Sequence, residues 1–253
     1  MKFLKIEDFK NDSEIKVVSL NRPEVKNAFN PEMISEITLA FRNFHDEPKL
    51  KAIVLTGEGN CFCAGADLNW MKEMIHFDLD QNIQDSRKLW DMFDAMAQCP
   101  LPIIGLLQGA VYGGGLGLMA CCDYVFADAK TTFCFSEVKL GLAPAVISSF
   151  VLRKISDGFA RPLMLSAEVF NVDTAVRMGL LHRVLPTFES WADEIKNFSN
   201  NGADAMKETK KLLNEIEGGL SWIDQKRLTT KVISERRVSA EAQARLKIFL
   251  DKN

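Results

Sequence analysis

The stretch from residue 103 to residue 120 reads IIGLLQGAVYGGGLGLMA and decides the fold class. Its first five residues, Ile103 to Leu107, form a compact apolar segment typical of a buried β-strand, and Gln108 and Gly109 end that strand. Three consecutive glycines at 113–115 then lead into an apolar segment that predicts a helix over 116–120. A strand, a glycine loop and a helix in this order indicate an α/β fold.

Strands and helices alternate on both sides of this stretch. Short β-branched or apolar segments predict the strands, and apolar residues at helical spacing predict the helices. The predicted strands are 14–20, 51–56, 123–127 and 131–135, and the predicted helices run from 31 to about 46 and over 82–98. Asp67 is predicted to cap a short helix between them. The alternation favours a largely parallel sheet.

The chain becomes helical from about residue 145 onward. The helices predicted there are 159–166, 172–179, 189–198, 203–216, 220–235 and 239–250, with one strand over 182–185. We therefore expect a helical C-terminal region that packs on the core or on another subunit.

Composition and charge exclude several classes of protein. The 253 residues are 47% hydrophobic and 26% charged, which is typical of one large globular domain and not of a disordered chain. A formal net charge of −3 offers no basic field for wrapping nucleic acid or coating an anionic membrane. The helix over 31–46, which offers Arg42 and no lysine, also argues against RNA binding.

The cysteines and the N-terminus predict the compartment. The six cysteines, at 61, 63, 99, 121, 122 and 134, form no Cys-x-x-Cys pair and fit neither a zinc site nor a disulfide framework. The first five residues lack a following apolar segment, and no stretch reaches the roughly 20 apolar residues that a membrane span needs. We expect a cytoplasmic protein without a metal site or a membrane segment.

Familiar catalytic motifs are missing from the sequence. It contains no G-x-x-x-x-G-K-[ST], H-E-x-x-H or G-x-S-x-G, and the pair Gly57 and Gly59 lacks the third glycine of a dinucleotide fingerprint. Nucleotide hydrolysis, zinc-dependent proteolysis and serine-hydrolase chemistry are therefore disfavoured.

Two small-residue loops remain as candidates for a site. The first runs over 63–68 and the second over 111–115, and each follows a predicted strand. If those strands are parallel neighbours, both loops leave the sheet at the edge where open α/β folds place ligands. Two backbone N–H groups that converge there would form an oxyanion hole. The alternative is that the glycines only make tight turns.

Glu137 is the candidate acid or base. It follows the predicted strand 131–135 by two residues and lies between Ser136 and Val138, where partial burial would raise the pKa of its carboxyl. A carboxylate beside an oxyanion hole can move protons on a thioester enolate. The alternative is an isolated glutamate on the surface.

Taken together, these residues resemble the crotonase (enoyl-CoA hydratase/isomerase) superfamily. The resemblance rests on four motifs in order along nearly the whole chain: NRPEVKNAF at 21–29, FCAGADL at 62–68, GAVYGGG at 109–115 and FSEVKLGLAP at 135–144. The segments DLNWM at 67–71 and SEVKLGL at 136–142 are more narrowly similar to bacterial methylglutaconyl-CoA hydratases.

The resemblance implies a fold, an assembly and a site. The fold is a spiral of ββα units over 1–195 followed by a helical trimerisation or lid region over 196–253, assembled as a homotrimer or a dimer of trimers. The N–H groups of Ala66 and Gly114 would hold the thioester oxygen, and Glu137 would carry the proton. No cofactor is implied, because coenzyme A is part of the acyl-CoA substrate. The implied substrate-binding residues are Lys26, Ala28, Ala64, Gly65, Asp67, Leu68, Tyr112, Gly113 and Gly117.

The sequence departs from the family pattern at Gly117. Family hydratases typically carry a first glutamate at this position and a second at the position of Glu137. Glu137 could instead act alone, a carboxylate on the substrate could order the water, or the reaction could be a water-free isomerisation of a 3-enoyl to a 2-enoyl thioester. Gly117 would also leave room for a branched acyl group.

We rank these functions in one order. Hydration of a 2-enoyl-CoA such as 3-methylglutaconyl-CoA comes first and isomerisation second. An inactive acyl-CoA-binding subunit is the non-enzymatic alternative.

Overall fold

The computed structural model describes residues 1–10 and 12–251, and the strands in that part of the chain form two sheets. The strands are β1 Leu4–Phe9, β2 Asp12–Leu20, β3 Ala52–Gly57, β4 Ile103–Leu107, β5 Ala110–Tyr112, β6 Tyr124–Asp128, β7 Thr132–Cys134, β8 Phe170–Asn171 and β9 Arg183–Leu185. The larger sheet has six strands in the order β1-β2-β3-β4-β6-β9, and the smaller has three in the order β5-β7-β8.

The larger sheet is parallel apart from its first strand. Strands β2, β3, β4, β6 and β9 all run in one direction, and β1 pairs antiparallel with β2 at the edge. All five residues of β4 are buried, as expected for a parallel strand covered on both faces. The predicted α/β fold with a largely parallel sheet is confirmed.

Twelve α-helices complete the described part of the chain. They are α1 Pro31–Asn43, α2 Leu68–Met74, α3 Leu79–Ala97, α4 Gly114–Cys121, α5 Ala145–Val151, α6 Asp157–Ser166, α7 Val172–Arg177, α8 Trp191–Glu194, α9 Lys196–Ser199, α10 Ala203–Glu217, α11 Trp222–Val238 and α12 Ala240–Leu250. The order β4-β5-α4, and then β6-β7-α5, gives the predicted ββα units, with one strand of each unit in each sheet.

Polar side chains fix where the helices near the site begin. The Asn30 side chain accepts a hydrogen bond from the N–H of Met33 at 2.9 Å, and Pro31 occupies the first helical position of α1. Asp67 caps α2 as predicted, by accepting from the N–H of Asn69 at 2.7 Å. These caps hold the helix starts beside the loops that follow the strands.

The structure corrects two sequence-based predictions of secondary structure. Strand β1 was not predicted, because its alternation covers only Leu4 to Glu7 before Asp8 interrupts it, and only its end residues, Leu4 and Phe9, are buried. The single helix predicted over 189–198 is wrong: this segment forms the two short helices α8 and α9, joined at Ile195.

The C-terminal helices dock on the core through α10. The Nζ of Lys210 lies 2.7 Å from the Oδ2 of Asp123, which precedes β6, and Asn214 donates to the carbonyl of Ala97 at 3.3 Å. Helices α11 and α12 leave large apolar side chains exposed, including Trp222, Ile223 and Val238. The boundary at 195/196 stays a prediction. None of the helices in the described ranges combines the length and apolarity that crossing a membrane requires.

Candidate active site

The two small-residue loops lie side by side. Strands β3 and β4 are parallel neighbours, so the chain leaves both at the same edge of the sheet. The loops then pair directly, because the N–H of Cys63 donates to the carbonyl of Ala110 at 3.2 Å and the N–H of Tyr112 donates to the carbonyl of Cys63 at 2.9 Å. The two loops therefore meet at one edge of the sheet, as predicted.

Glycine is required where these loops touch. Gly65 has φ +101°, and a Cβ there would stand 3.4 Å from the carbonyl oxygen of Tyr112. A Cβ on Gly115 would stand 2.7 Å from the carbonyl oxygen of Cys63, closer than real Cβ contacts allow. The glycines thus let two backbone segments approach each other.

The amides of Ala66 and Gly114 are left available at this junction. Phe29 holds both neighbours of Ala66, since its N–H donates to the carbonyl of Gly65 and its carbonyl accepts from Asp67, each at 2.7 Å. The N–H of Ala66 and that of Gly114, the first residue of α4, donate none of the hydrogen bonds found among residues 1–10 and 12–251. Two unpaired donors at one edge, one of them at a helix N-terminus, can bind a developing oxyanion.

Glu137 lies against the second loop. It begins the 3-10 helix Glu137–Leu140 that follows β7, and its Oε1 is 3.4 Å from the Cβ position of Gly113, the residue before Gly114. The Oε2 of Glu137 is buried and has no hydrogen-bond partner within residues 1–10 and 12–251. Burial raises the pKa of this carboxyl above its ordinary value of 4.5, in the predicted direction.

The segment over 22–28 is clamped to the first loop. Lys26 and Asn27 are both left-handed, with φ +54° and +53°, and the carbonyl of Lys26 accepts from the N–H of Ala64 at 3.0 Å. Asn27 is fully buried, and its side chain donates to the carbonyls of Glu58 and Cys61. This arrangement brings the predicted residues Lys26, Ala28 and Ala64 together.

Asp67 uses its side chain for structure. Its Oδ2 lies 2.7 Å from Nη2 of Arg22, whose Nη1 also donates to the carbonyl of Ala28 at 2.7 Å. Although burial raises the pKa of Asp67, hydrogen bonds from Arg22, Asn69 and Trp70 lower it below its ordinary value of 3.8. The role of Arg22 is not predicted by any local pattern, because its partner lies 45 residues away in the chain.

Gly117 faces packed side chains. A Cβ at this position would lie 2.5 Å from Cζ of Phe93 and 2.8 Å from Cγ2 of Ile147, and both side chains are buried. The expectation that Gly117 leaves room for a branched acyl group is therefore wrong, because aromatic and aliphatic carbon already fill that volume.

The remaining predicted residues lie along the same edge. Tyr112 ends β5, with its hydroxyl 3.4 Å from that of Thr132, and Leu68 begins α2 with its side chain largely exposed. Within the described ranges, no group of three or more His, Cys, Asp or Glu side chains could hold a metal ion. The arrangement offers two amide donors and one partly desolvated carboxylate.

Comparison with known proteins agrees with this chemistry. The family model described as "Enoyl-CoA hydratase/isomerase" matches residues 10–253. A crotonyl-CoA hydratase of Syntrophomonas wolfei is 30% identical over 210 residues, which cover 81% of this chain and 79% of that protein. The enoyl-CoA hydratase ACTT6 of Alternaria alternata is 38% identical over 167 residues, 66% of this chain, and the match spans about half of that longer protein, 54%.

A solved structure has the same fold. The crystal structure of an enoyl-CoA hydratase from Shewanella pealeana aligns with a TM-score of 0.92 at 34% identity, covering 99% of this chain and 94% of that one. The two-sheet α/β fold with C-terminal helices is thus shared over the full length.

Proposed function

This chain belongs to the enoyl-CoA hydratase/isomerase family, the crotonase superfamily, and we propose that it adds water to the double bond of a 2-enoyl-CoA. The family is one of hydro-lyases that act on enoyl-CoA thioesters. The observation that carries the proposal is the buried, unpartnered Oε2 of Glu137 beside the loop that presents the Gly114 amide.

The proposed mechanism needs one carboxylate and two amides. Ionised Glu137 takes a proton from water while the water oxygen bonds to C3 of the substrate, and the electron pair of the double bond moves to the thioester oxygen. The N–H groups of Ala66 and Gly114 stabilise that negative charge. The carboxylic acid of Glu137 then returns the proton to C2, giving a 3-hydroxyacyl-CoA and restoring the carboxylate.

Substrate binding is proposed for the backbone around the first loop. The segment near Lys26 and Ala28 and the loop residues Ala64, Asp67 and Leu68 would cradle the coenzyme A part of the substrate. Support comes from the hydrogen bond between Ala64 and Lys26, which joins the two segments into one edge. Gly65, Tyr112 and Gly113 would line the path to the thioester.

The lack of a carboxylate at position 117 favours a substrate that carries its own carboxylate. No side chain from that position supplies a second carboxylate, and Phe93 and Ile147 make the neighbourhood apolar. A substrate with its own carboxylate, as in 3-methylglutaconyl-CoA, would supply the missing group for ordering water. We propose this branched dicarboxylic thioester as the first substrate to test.

The same packing favours isomerisation as the second candidate. Moving a proton from C2 to C4 of a 3-enoyl-CoA requires one acid/base and no water, and an apolar wall suits such a reaction. Glu137 would take the acidic C2 proton, the same two amides would hold the oxygen of the resulting dienolate, and the carboxylic acid would return the proton to C4 as the double bond moves to C2–C3.

A panel of thioesters tests the proposal. Purified protein is incubated with crotonyl-CoA, 3-methylglutaconyl-CoA and a 3-enoyl-CoA, and the absorbance of the conjugated thioester is followed. Consumption of the first two supports hydration, whereas formation of conjugated product from the third alone would replace it with isomerisation. Binding without any turnover would indicate an inactive acyl-CoA-binding subunit.

The exposed apolar side chains of the last two helices support the proposed trimer. Trp222 and Ile223 are 84% and 80% exposed on α11, which a partner subunit could cover. Light scattering on a size-exclusion column should give three or six times the chain mass, and Ile223→Asp should lower it. If the unmodified protein has the mass of a single chain, the proposed trimer is wrong.

The cysteines support a reducing, cytoplasmic compartment. All six are unbridged and buried. Fluorescent tagging and cell fractionation would locate the protein, and recovery in an oxidising compartment would contradict the proposal.

A further inference from the structure

Phe29 contacts both residues whose amides are proposed to hold the thioester oxygen. Its backbone brackets Ala66, because its N–H binds the carbonyl of Gly65 and its own carbonyl binds the N–H of Asp67, each at 2.7 Å. These two bonds form a parallel bridge between Phe29 and Ala66. The peptide plane that carries the Ala66 N–H is therefore oriented by Phe29.

The ring of Phe29 reaches the other amide. A Cβ on Gly114 would stand 2.5 Å from Cε2 and 2.9 Å from Cδ2 of Phe29, so the edge of the ring lies directly against the Gly114 backbone. The residue is 2% exposed. One residue thus joins the two loops, through its backbone to the first loop and through its ring to the second.

A second ring supports the first. Phe93 meets the Phe29 ring edge to face, with centroids 6.5 Å apart and an interplanar angle of 74°. Phe93 also fills the space beside Gly117, which lies three residues beyond Gly114 and so on the same face of α4. The pair of rings therefore braces the first turn of α4 at two points.

We infer that Phe29 is a positioning residue that sets the separation between the Ala66 and Gly114 amides. This inference rests on the proposed oxyanion hole. A phenyl ring is a stiff spacer, since it cannot shorten by changing its internal torsions, and a close-packed interior leaves it no other place. Glycine at 114 follows from the same contact, because any side chain there would displace the ring.

Replacing the ring should damage turnover more than binding. In Phe29→Leu, α4 can shift toward Ala66, and we expect kcat to fall by about 10- to 100-fold because a misplacement near 1 Å has effects of that size. The KM for the thioester should change by less than about threefold, since the proposed coenzyme A contacts are with backbone whose hydrogen bonds to Phe29 do not involve its ring.

Polarisation of the carbonyl gives a direct readout. The probe is 4-(dimethylamino)cinnamoyl-CoA, whose absorbance moves to longer wavelength when its carbonyl oxygen accepts hydrogen bonds. The unmodified protein should give a red shift on binding the probe, and Phe29→Leu should give a clearly smaller one. Loss of stability alone would not change this spectrum in folded protein.

Phe41→Leu is the matched control. Phe41 is also fully buried and pairs with a neighbouring ring, Phe44, but it lies in α1 away from both loops. Both variants should lower Tm by similar amounts, and only Phe29→Leu should lose kcat and red shift. If Phe29→Leu does not fold, Phe29→Met keeps more of the contact volume and takes its place.

A double variant tests the contact itself. Gly114→Ala keeps the N–H but places a methyl group against the ring, so we expect at least a tenfold loss of kcat, on the order of a mispositioned donor. Adding Phe29→Leu removes the clash, so the double variant should be more active than the product of the two single effects predicts.

The outcomes separate the inference from the function on which it rests. Equal kcat and equal red shift in Phe29→Leu and Phe41→Leu, or strictly multiplicative effects in the double variant, would overturn the positioning role alone. Failure of the unmodified protein to turn over any enoyl-CoA or to shift the probe would overturn the proposed function itself.

Discussion

The two ends of the core treat a partly buried carboxylate in opposite ways. At the amino ends of the strands, the Oδ2 of Asp123 accepts from the N–H of Ile103 at 2.8 Å and pairs with Lys210 at 2.7 Å, and Lys210 also donates to the carbonyl of Leu101 at 3.0 Å. At the opposite end, after β7 of the smaller sheet, the Oε2 of Glu137 and the amides of Ala66 and Gly114 have no hydrogen-bond partner among the described residues.

The difference separates stability from chemistry. A buried polar group that has its partners holds elements together, and here the Asp123–Lys210 pair fixes α10 to the core. A buried group without partners costs stability and is kept where a ligand completes it. The core thus has one satisfied end, at Asp123, and one end prepared for a substrate, at Glu137.

Glu137→Gln should produce the largest effect on the prepared end. The amide keeps the shape but cannot take a proton, so we expect kcat for the preferred enoyl-CoA to fall by about 10²- to 10⁴-fold. Steady-state kinetics measure the loss, and circular dichroism checks the fold. Retention of full activity would mean that another group carries the proton.

Lys210→Met should lower the stability of the protein and leave its activity nearly unchanged. Removing the ammonium leaves Asp123 uncompensated, and because Asp123 is about one third exposed we expect a cost of about 2 to 3 kcal/mol in the free energy of unfolding. Urea denaturation measures it, while kcat at 25 °C should stay within about twofold of the unmodified enzyme. A large loss of kcat in folded protein would show that the two ends are coupled.

Gly117→Ala tests how tightly Phe93 and Ile147 pack beside the proposed site. The added methyl would overlap Phe93, so we expect about 1 to 3 kcal/mol of destabilisation from overpacking. Gly158→Ala is the control, because its nearest neighbour, the Oγ of Ser156, would be 3.8 Å from the new Cβ and the position lies in α6. If Gly117→Ala is as stable as this control, Phe93 and Ile147 leave more space beside Gly117 than their positions indicate.

The pH dependence of stability should show the smallest effect. Because burial raises the pKa of Glu137 above 4.5, the folded protein holds this proton more tightly than the unfolded chain, and ionising the group costs stability as pH rises from 4.5 through the raised pKa. Glu137→Gln should therefore raise Tm at pH 8 and leave Tm unchanged near pH 4. A Tm that falls equally at both pH values would contradict an unpartnered buried carboxylate.

Much of this arrangement could be predicted from the order of residues. Apolar strands such as Ile103 to Leu107 and the caps at Asn30 and Asp67 are local signals, and the structure contains them. The direction of the Glu137 pKa also followed from its place just after a buried strand. The roles of Glu137, Ala66 and Gly114 stay predictions.

Other features could not be predicted, because they depend on partners far away in the chain. Arg22 pairs with Asp67 across 45 residues, and Phe29 contacts Gly114 across 85 residues. The helix predicted over 189–198 divides in two although its local pattern was continuous. No periodic pattern within a short stretch of the sequence predicts any of these features.

The sequence by itself determined the alternation of strands and helices, the glycines that let the loops turn and the family to which the chain belongs, because these depend on short-range backbone preferences and ordered motifs. Only the tertiary structure decided that the volume beside Gly117 is filled and that one residue, Phe29, contacts both segments that carry the proposed amide donors. Packing decides such matters, since a side chain's neighbours are set by how the layers close on each other.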